Sequence, residues 1–153
     1  MNELIAVEQI KQLKARYLRG LDTNDWTVFA STMTEDCSAK YNGGKLSFTT
    51  REAIVSFMRE NLSGDKVLTL HQGHQPEIYL IDKSNARASW YLQDLVIHLE
   101  AGMRIYGSAI YEDAYRLEDG EWKICATGYK RIFEAIEPLG EGHSVTENMF
   151  SVS

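Results

Sequence analysis

Three titratable side chains, His71, His74 and Asp94, interrupt an otherwise apolar, β-type stretch between Val67 and His98. It reads VLTLHQGHQPEIYLIDKSNARASWYLQDLVIH, two long runs flanking a polar turn at Asp82-Lys83-Ser84-Asn85. Alternate residues of a strand share a face, so Trp90, Leu92, Asp94 and Val96 are expected together. An acid on such a face needs a partner, because burying an unpaired carboxylate is costly. A tight hairpin around residues 83–84 sets Asp94 opposite residues near 73, and a bulge can shift that match, which brings His71 or His74 beside Asp94. A carboxylate on one imidazole nitrogen fixes the tautomer and leaves the other nitrogen free to move a proton. The expected centre is therefore an acid/base pair of Asp94 with His71, the first choice, or with His74. His74 precedes Gln75-Pro76, where proline restricts the backbone, and reads as a residue of the site's rim. His71 and His74 are three apart, on opposite strand faces, so no metal site is expected.

The elements that must position this pair follow from periodicity. Val7, Ile10, Leu13, Tyr17 and Leu21 recur at three- and four-residue steps, the spacing of one helical face over residues 3–22. Gly20 weakens the last turn of that helix, and Asn24 or Asp25 caps a second one, Trp26 to Met33. A hairpin is expected from Cys37 to Phe48 around Asn42-Gly43-Gly44. Thr49-Thr50-Arg51-Glu52 resembles a capping box and opens a third helix, ending near Asn61. From Val67 onward the chain reads as strands joined by tight turns at Glu100-Ala101-Gly102 and Glu118-Asp119-Gly120, an antiparallel meander. Three helices with one apolar stripe each must cover one face of it. The fold class is α+β, with one domain over residues 1–137 and a loosely held tail over 138–153.

The totals set limits on function. A chain of 153 residues is long enough for one domain with a proper core. Its apolar and charged fractions of 44% and 25% are globular values. The net charge of -6 argues against a nucleic-acid surface. No apolar run is long enough for a membrane span, and the N-terminus lacks a signal-peptide core, so a cytoplasmic location is expected. Cys37 and Cys125 lack metal-ligand spacing and read as reduced, buried or half-buried thiols.

Several segments resemble a known family. LKARYLRGLDTNDWTVFASTMTEDC is similar to the opening signature of SnoaL-like proteins in the nuclear transport factor 2-like superfamily. TTREAIVSFM resembles their third-helix entry, LTLHQGHQPEIYLID their histidine strand, and YEDAYRLEDGEWKICATGYKR their closing hairpin. The likeness spans residues 4 to 133. It implies a cone-shaped curved antiparallel sheet with three N-terminal helices over its concave face, the cystatin-like α+β barrel. Within that superfamily the chain is similar to the cofactor-independent dehydratases, scytalone dehydratase and bile-acid 7α-dehydratase. That resemblance places Tyr17, Asp22, His71 and Asp94 at catalytic positions and Arg131 at that of a C-terminal strand arginine. The chain has no clear counterpart of the second histidine or the pocket asparagine of scytalone dehydratase.

The residues and the resemblance together predict a lyase (dehydratase) or isomerase acting, without cofactor or metal, on a polycyclic, steroid-like or polyketide-derived carbonyl compound. His71, oriented by Asp94, would remove a proton, and Tyr17 would donate a hydrogen bond to the developing enolate. Asp22 would assist Tyr17 or the leaving group. His74, Trp90, Tyr106 and Arg131 would contact the substrate. Arg131 on its own alternates with Tyr129 and Phe133, which reads as the solvent face of an edge strand. The alternative is a non-catalytic small-ligand-binding or dimerisation module of the same fold. The expected partners are a small apolar cyclic ligand and a second copy of the chain, because one face of the meander would otherwise be exposed.

Overall fold

The computed structural model describes residues 2–151. Helix α1 spans Glu3–Asp22 and starts at Asn2, whose side chain accepts the Leu4 amide. Its buried face carries Ile10, Leu13, Tyr17 and Leu21, as the spacing predicts, with Val7 half-buried, and also Lys14 and Leu18. Gly20 does not end the helix. It lets α2 (Trp26–Ser31) pack against α1, since a Cβ there would lie 2.9 Å from the Phe29 amide nitrogen. Asp25 caps α2 through the Val28 amide. That helix stops earlier than expected, because Met33 already pairs with Ile124 in the sheet and the Thr32 carbonyl accepts the Ile124 amide.

Strand β1 covers Met33–Tyr41 and β2 Leu46–Phe48, joined by a turn at residues 42–44. Helix α3 (Arg51–Leu62) is capped by Thr50, whose hydroxyl accepts the Ala53 amide. Four long strands follow: β3 (Val67–Leu80), β4 (Asn85–His98), β5 (Met103–Glu118) and β6 (Glu121–Pro138). The Asp82 carboxylate ties the β3–β4 turn by accepting the Ser84 and Asn85 amides. The spatial order is β2-β1-β6-β5-β4-β3.

The sheet is curved, open and mixed rather than wholly antiparallel. Strand β1 runs parallel to β6, a pairing between distant segments that no local turn signal announces. Consequently β6 is an interior strand, flanked by β1 and β5. The helices cover the concave face, which presents Trp90, Leu92, Asp94, Tyr111, Tyr115, Trp122 and Ile124 in alternation, all buried. The convex face carries Leu70, Tyr91 and Tyr106, all exposed. Beyond Pro138 the described chain has no helix or strand. It is held by the Leu139 amide on the Gly102 carbonyl and by Asn148 on the Asp65 carbonyl. Cys37 is buried and Cys125 half-buried, and both thiols are free. No helix among the described residues is long and apolar enough to cross a membrane.

A charge pair sits inside this core. Lys14 Nζ lies 2.7 Å from Asp113 Oδ2, with the two side chains 1% and 0% exposed. Asp113 also accepts the Tyr115 and Thr127 hydroxyls, and Trp90 donates its indole N–H to Tyr115. Lys14 stands 3.5 Å from the centre of the Tyr111 ring. Burial lowers the Lys14 pKa, and Asp113 works against that shift. The pair fastens α1 to β5, one helical turn before Tyr17.

Candidate active site

His71 and Asp94 face each other across β3 and β4, as the hairpin predicts. The imidazole, however, does not bond Asp94. Its Nδ1 lies 2.6 Å from Asp22 Oδ1, and the other Asp22 oxygen accepts the His71 amide at 2.8 Å. The Thr69 hydroxyl donates to Asp22 Oδ1 at 2.7 Å. The acid that orients His71 is therefore Asp22, which corrects the expected His71–Asp94 bond. The cause is helix docking: α1 ends over β3, so its last residue meets Thr69 and His71. An ionised carboxylate only accepts hydrogen bonds, so Nδ1 carries a hydrogen, and in the neutral imidazole Nε2 keeps its lone pair. Nε2 makes no hydrogen bond among the described residues.

Asp94 belongs to a second pair. Its two oxygens bond Arg131 Nη1 and Nη2 at 2.5 and 2.8 Å, a bidentate contact with side chains 5% and 15% exposed. Burial disfavours the Arg131 charge, yet the Asp94 bonds outweigh it and raise the pKa above its ordinary value. The two residues sit on β4 and β6, with β5 between them. Gly107 of β5 is the partner of Asp94, and its missing side chain lets the two meet. A Cβ on Gly107 would lie 3.2 Å from Arg131 Nη1 and 2.4 Å from the Phe133 carbonyl oxygen.

Arg131 was expected on a solvent face, alternating with Phe133. The structure corrects this through a bulge: Arg131 pairs with Ala109 and Phe133 with Ser108, leaving Ile132 extra. Phe133 therefore faces outward while Arg131 faces the concave side. Glu134, opposite Gly107, returns to that side, and its Oε2 lies 3.1 Å from Arg131 Nε. The oxygen is off the N–H axis, so Nε remains a buried donor without a hydrogen bond.

Tyr17 is fully buried, and its hydroxyl lies 2.9 Å from that of Tyr41. Burial, then the neighbouring tyrosines, raise the Tyr17 pKa well above its ordinary value, so it serves as a donor rather than a base. The mutual bond uses one of the two hydroxyl hydrogens and leaves the other for an acceptor. Tyr41 was not singled out in the sequence, although its alternation with Cys37 and Ala39 marks it as inward-facing.

The remaining candidates lie elsewhere. Trp90 is a core residue held by Tyr115. His74 pairs with Tyr91, and Tyr106 with Leu95, on the convex face. The three-residue step between His71 and His74 separates them, and the irregularity at Gln75 comes only after His74. Neither His74 nor Tyr106 shares a face with His71. The concave side near His71 is walled instead by Val67, Val96, Ile105 and Ile136, which sequence reasoning did not place there as a group.

A helix-covered curved sheet with an Asp-held histidine and an Asp-held arginine on its concave face defines an α+β cone with a polar floor. The chain belongs to the SnoaL-like domain family, whose description matches residues 2–127. Among solved structures it is similar to a protein assigned as a scytalone dehydratase from Novosphingobium aromaticivorans, at 17% identity and TM-score 0.80, covering 93% of this chain and 97% of that one. It is also similar to a hexachlorocyclohexane dehydrochlorinase from Novosphingobium barchaimii, at 19% identity and TM-score 0.79, covering 94% and 97%. A protein of unknown function with a cystatin-like fold from Nostoc punctiforme matches at 19% identity and TM-score 0.66, covering 86% and 93%. At these identities the likeness establishes the fold.

Proposed function

We propose that the domain catalyses a cofactor-independent elimination or isomerisation on a small, largely apolar cyclic carbonyl compound. The observation that carries this is the Asp22–His71 pair on the concave face, with Nδ1 bound and Nε2 free. His71 Nε2 removes a proton next to the carbonyl, and the electrons of the broken C–H bond flow toward the carbonyl oxygen. The Tyr17–Tyr41 pair supplies the spare hydroxyl hydrogen to that developing negative charge. Departure of a β-hydroxyl, taking the proton back from the imidazolium as water, completes a dehydration; reprotonation at another carbon completes an isomerisation. Similar proteins bearing the names dehydratase and dehydrochlorinase fit this chemistry, since both names describe loss of a proton and a neighbouring leaving group. The polycyclic, steroid-like or polyketide-derived compounds suggested by the sequence are the first class to test.

A mass-spectrometric screen of cyclic β-hydroxyketones checks this reading. Loss of water is expected with the wild-type protein and not with His71→Asn. Compounds that bind at the Asp22–His71 site and are recovered unchanged by a protein with the Asp22–His71 bond intact would favour the binding-module alternative.

We also propose that the convex face joins two or more copies of the chain. Leu70, Tyr91, Tyr106 and Phe133 stand exposed around a depression of about 780 Å³ there, and a second copy would take these side chains out of water. Sedimentation velocity is expected to show a dimer or larger oligomer at micromolar concentration. A monomer under those conditions would remove this proposal.

A further inference from the structure

We infer that Glu134 sets the charge selectivity of the concave site and restricts it to uncharged ligands; this rests on the reading of that site as the place of reaction. An arginine on a pocket wall usually invites a carboxylate or phosphate, which it grips with two parallel N–H groups. Here that fork is occupied. Asp94, 5% exposed, holds Nη1 and Nη2, and Glu134 stands 3.1 Å from Nε. Asp22 adds a third carboxylate on the His71 side of the same face. Three negative charges therefore stand against the single positive charge of Arg131 while His71 is neutral. Lys14 does not redress this, because it is enclosed and paired with Asp113. Lys66, just before β3, lies 3.8 Å from the Asp65 carboxylate.

Glu134 differs from the other two acids in its position. Its side chain is 38% exposed, at the open edge of the site, whereas Asp94 is enclosed. The bulge at Ile132 brings it to this face, three residues after Arg131. From there it screens the guanidinium against incoming anions, while the Nε–H beneath it stays buried without a hydrogen bond. An uncharged carbonyl or hydroxyl group can approach this face without meeting net repulsion. A carboxylate cannot.

The local field can be read without a substrate. Nitroxide probes of matched size, one a neutral amide and one a carboxylate, broaden the NMR signals of methyl groups that they approach. Ile136, on the concave side and 61% exposed, reports on the site, and Leu70, 45% exposed on the convex face, is the reference. In the wild type the carboxylate probe is expected to broaden Ile136 at least about threefold less than the amide probe. Glu134→Gln should cut that ratio by about half or more and leave Leu70 unchanged, while Glu134→Asp should keep the wild-type ratio. Equal broadening by the two probes in the wild type would overturn the inference. So would a ratio unaffected by Glu134→Gln, or one that changes equally at Leu70. Because no turnover is measured, a catalytically inert protein would still pass or fail on charge selectivity alone.

Discussion

His71→Asn is expected to lower turnover by about 10² to 10⁴, the range that a positioned general base contributes. The asparagine amide can still donate to Asp22 in place of Nδ1, so the tie between α1 and β3 persists while the proton acceptor disappears. Melting temperature should therefore change little. Asp22→Asn tests the other half of the pair. An amide facing Nδ1 can donate to it, which favours the tautomer with hydrogen on Nε2, and the rate should fall by up to about 10⁴ although the base remains. Asp94→Asn should not mimic this loss through the imidazole, because Asp94 holds Arg131 instead. Steady-state kinetics on the three variants separate the cases. Parent-like rates for both His71→Asn and Asp22→Asn would end the catalytic assignment.

The second large effect is on stability. Lys14→Met leaves Asp113 as a buried carboxylate with only the Tyr115 and Thr127 hydroxyls to hold it, and a loss of about 3–5 kcal/mol is expected. Replacing both partners at once, Lys14→Met with Asp113→Leu, should recover most of that loss, since the desolvation cost of both charges is removed. The two single variants should respond oppositely to pH. In Lys14→Met the buried Asp113 carboxylate has no counter-charge, so the loss of stability is expected to be smaller at low pH and to grow as pH increases. In Asp113→Asn the Lys14 pKa, already lowered by burial, loses the partner that raised it. The folded protein then resists protonation of Lys14, and stability rises with pH. Urea unfolding between about pH 5 and 9 would show the crossing slopes. Parallel slopes would mean that water or another group reaches the pair.

The β3–β4 hairpin was readable because its signals are local. Period-two alternation and the Asp82–Asn85 turn bring His71 opposite Asp94, and the structure keeps that pairing. The imidazole's actual partner was not readable in the same way. Asp22 looks like a helix-ending residue, and only the docking of α1 onto β3 brings it to His71. Arg131 was hidden by the extra residue at Ile132, which breaks the alternation on which its face was judged. The parallel β1–β6 contact joins segments far apart in the chain and leaves no turn to find. Lys14 and Asp113 did leave a trace: one lies four residues after Ile10 on the apolar helix face, the other alternates with Tyr111 and Tyr115. A lysine among the many charges of α1 is easily taken for solvent-facing, and only its paired acid on β5 reveals otherwise.

The extra residue at Ile132 also bears on how such a site can diversify. Moving that irregularity two positions along β6 would exchange which side chains look inward over a short segment, yet every other strand pairing would stay in place. Arg131 or Glu134, depending on the direction of the slip, could then be traded for a neighbour without inventing a loop or remodelling the cone. Chemistry in this scaffold is thus open to change by a local slip in strand alignment as well as by substitution, and chains at less than 20% identity keep one shape.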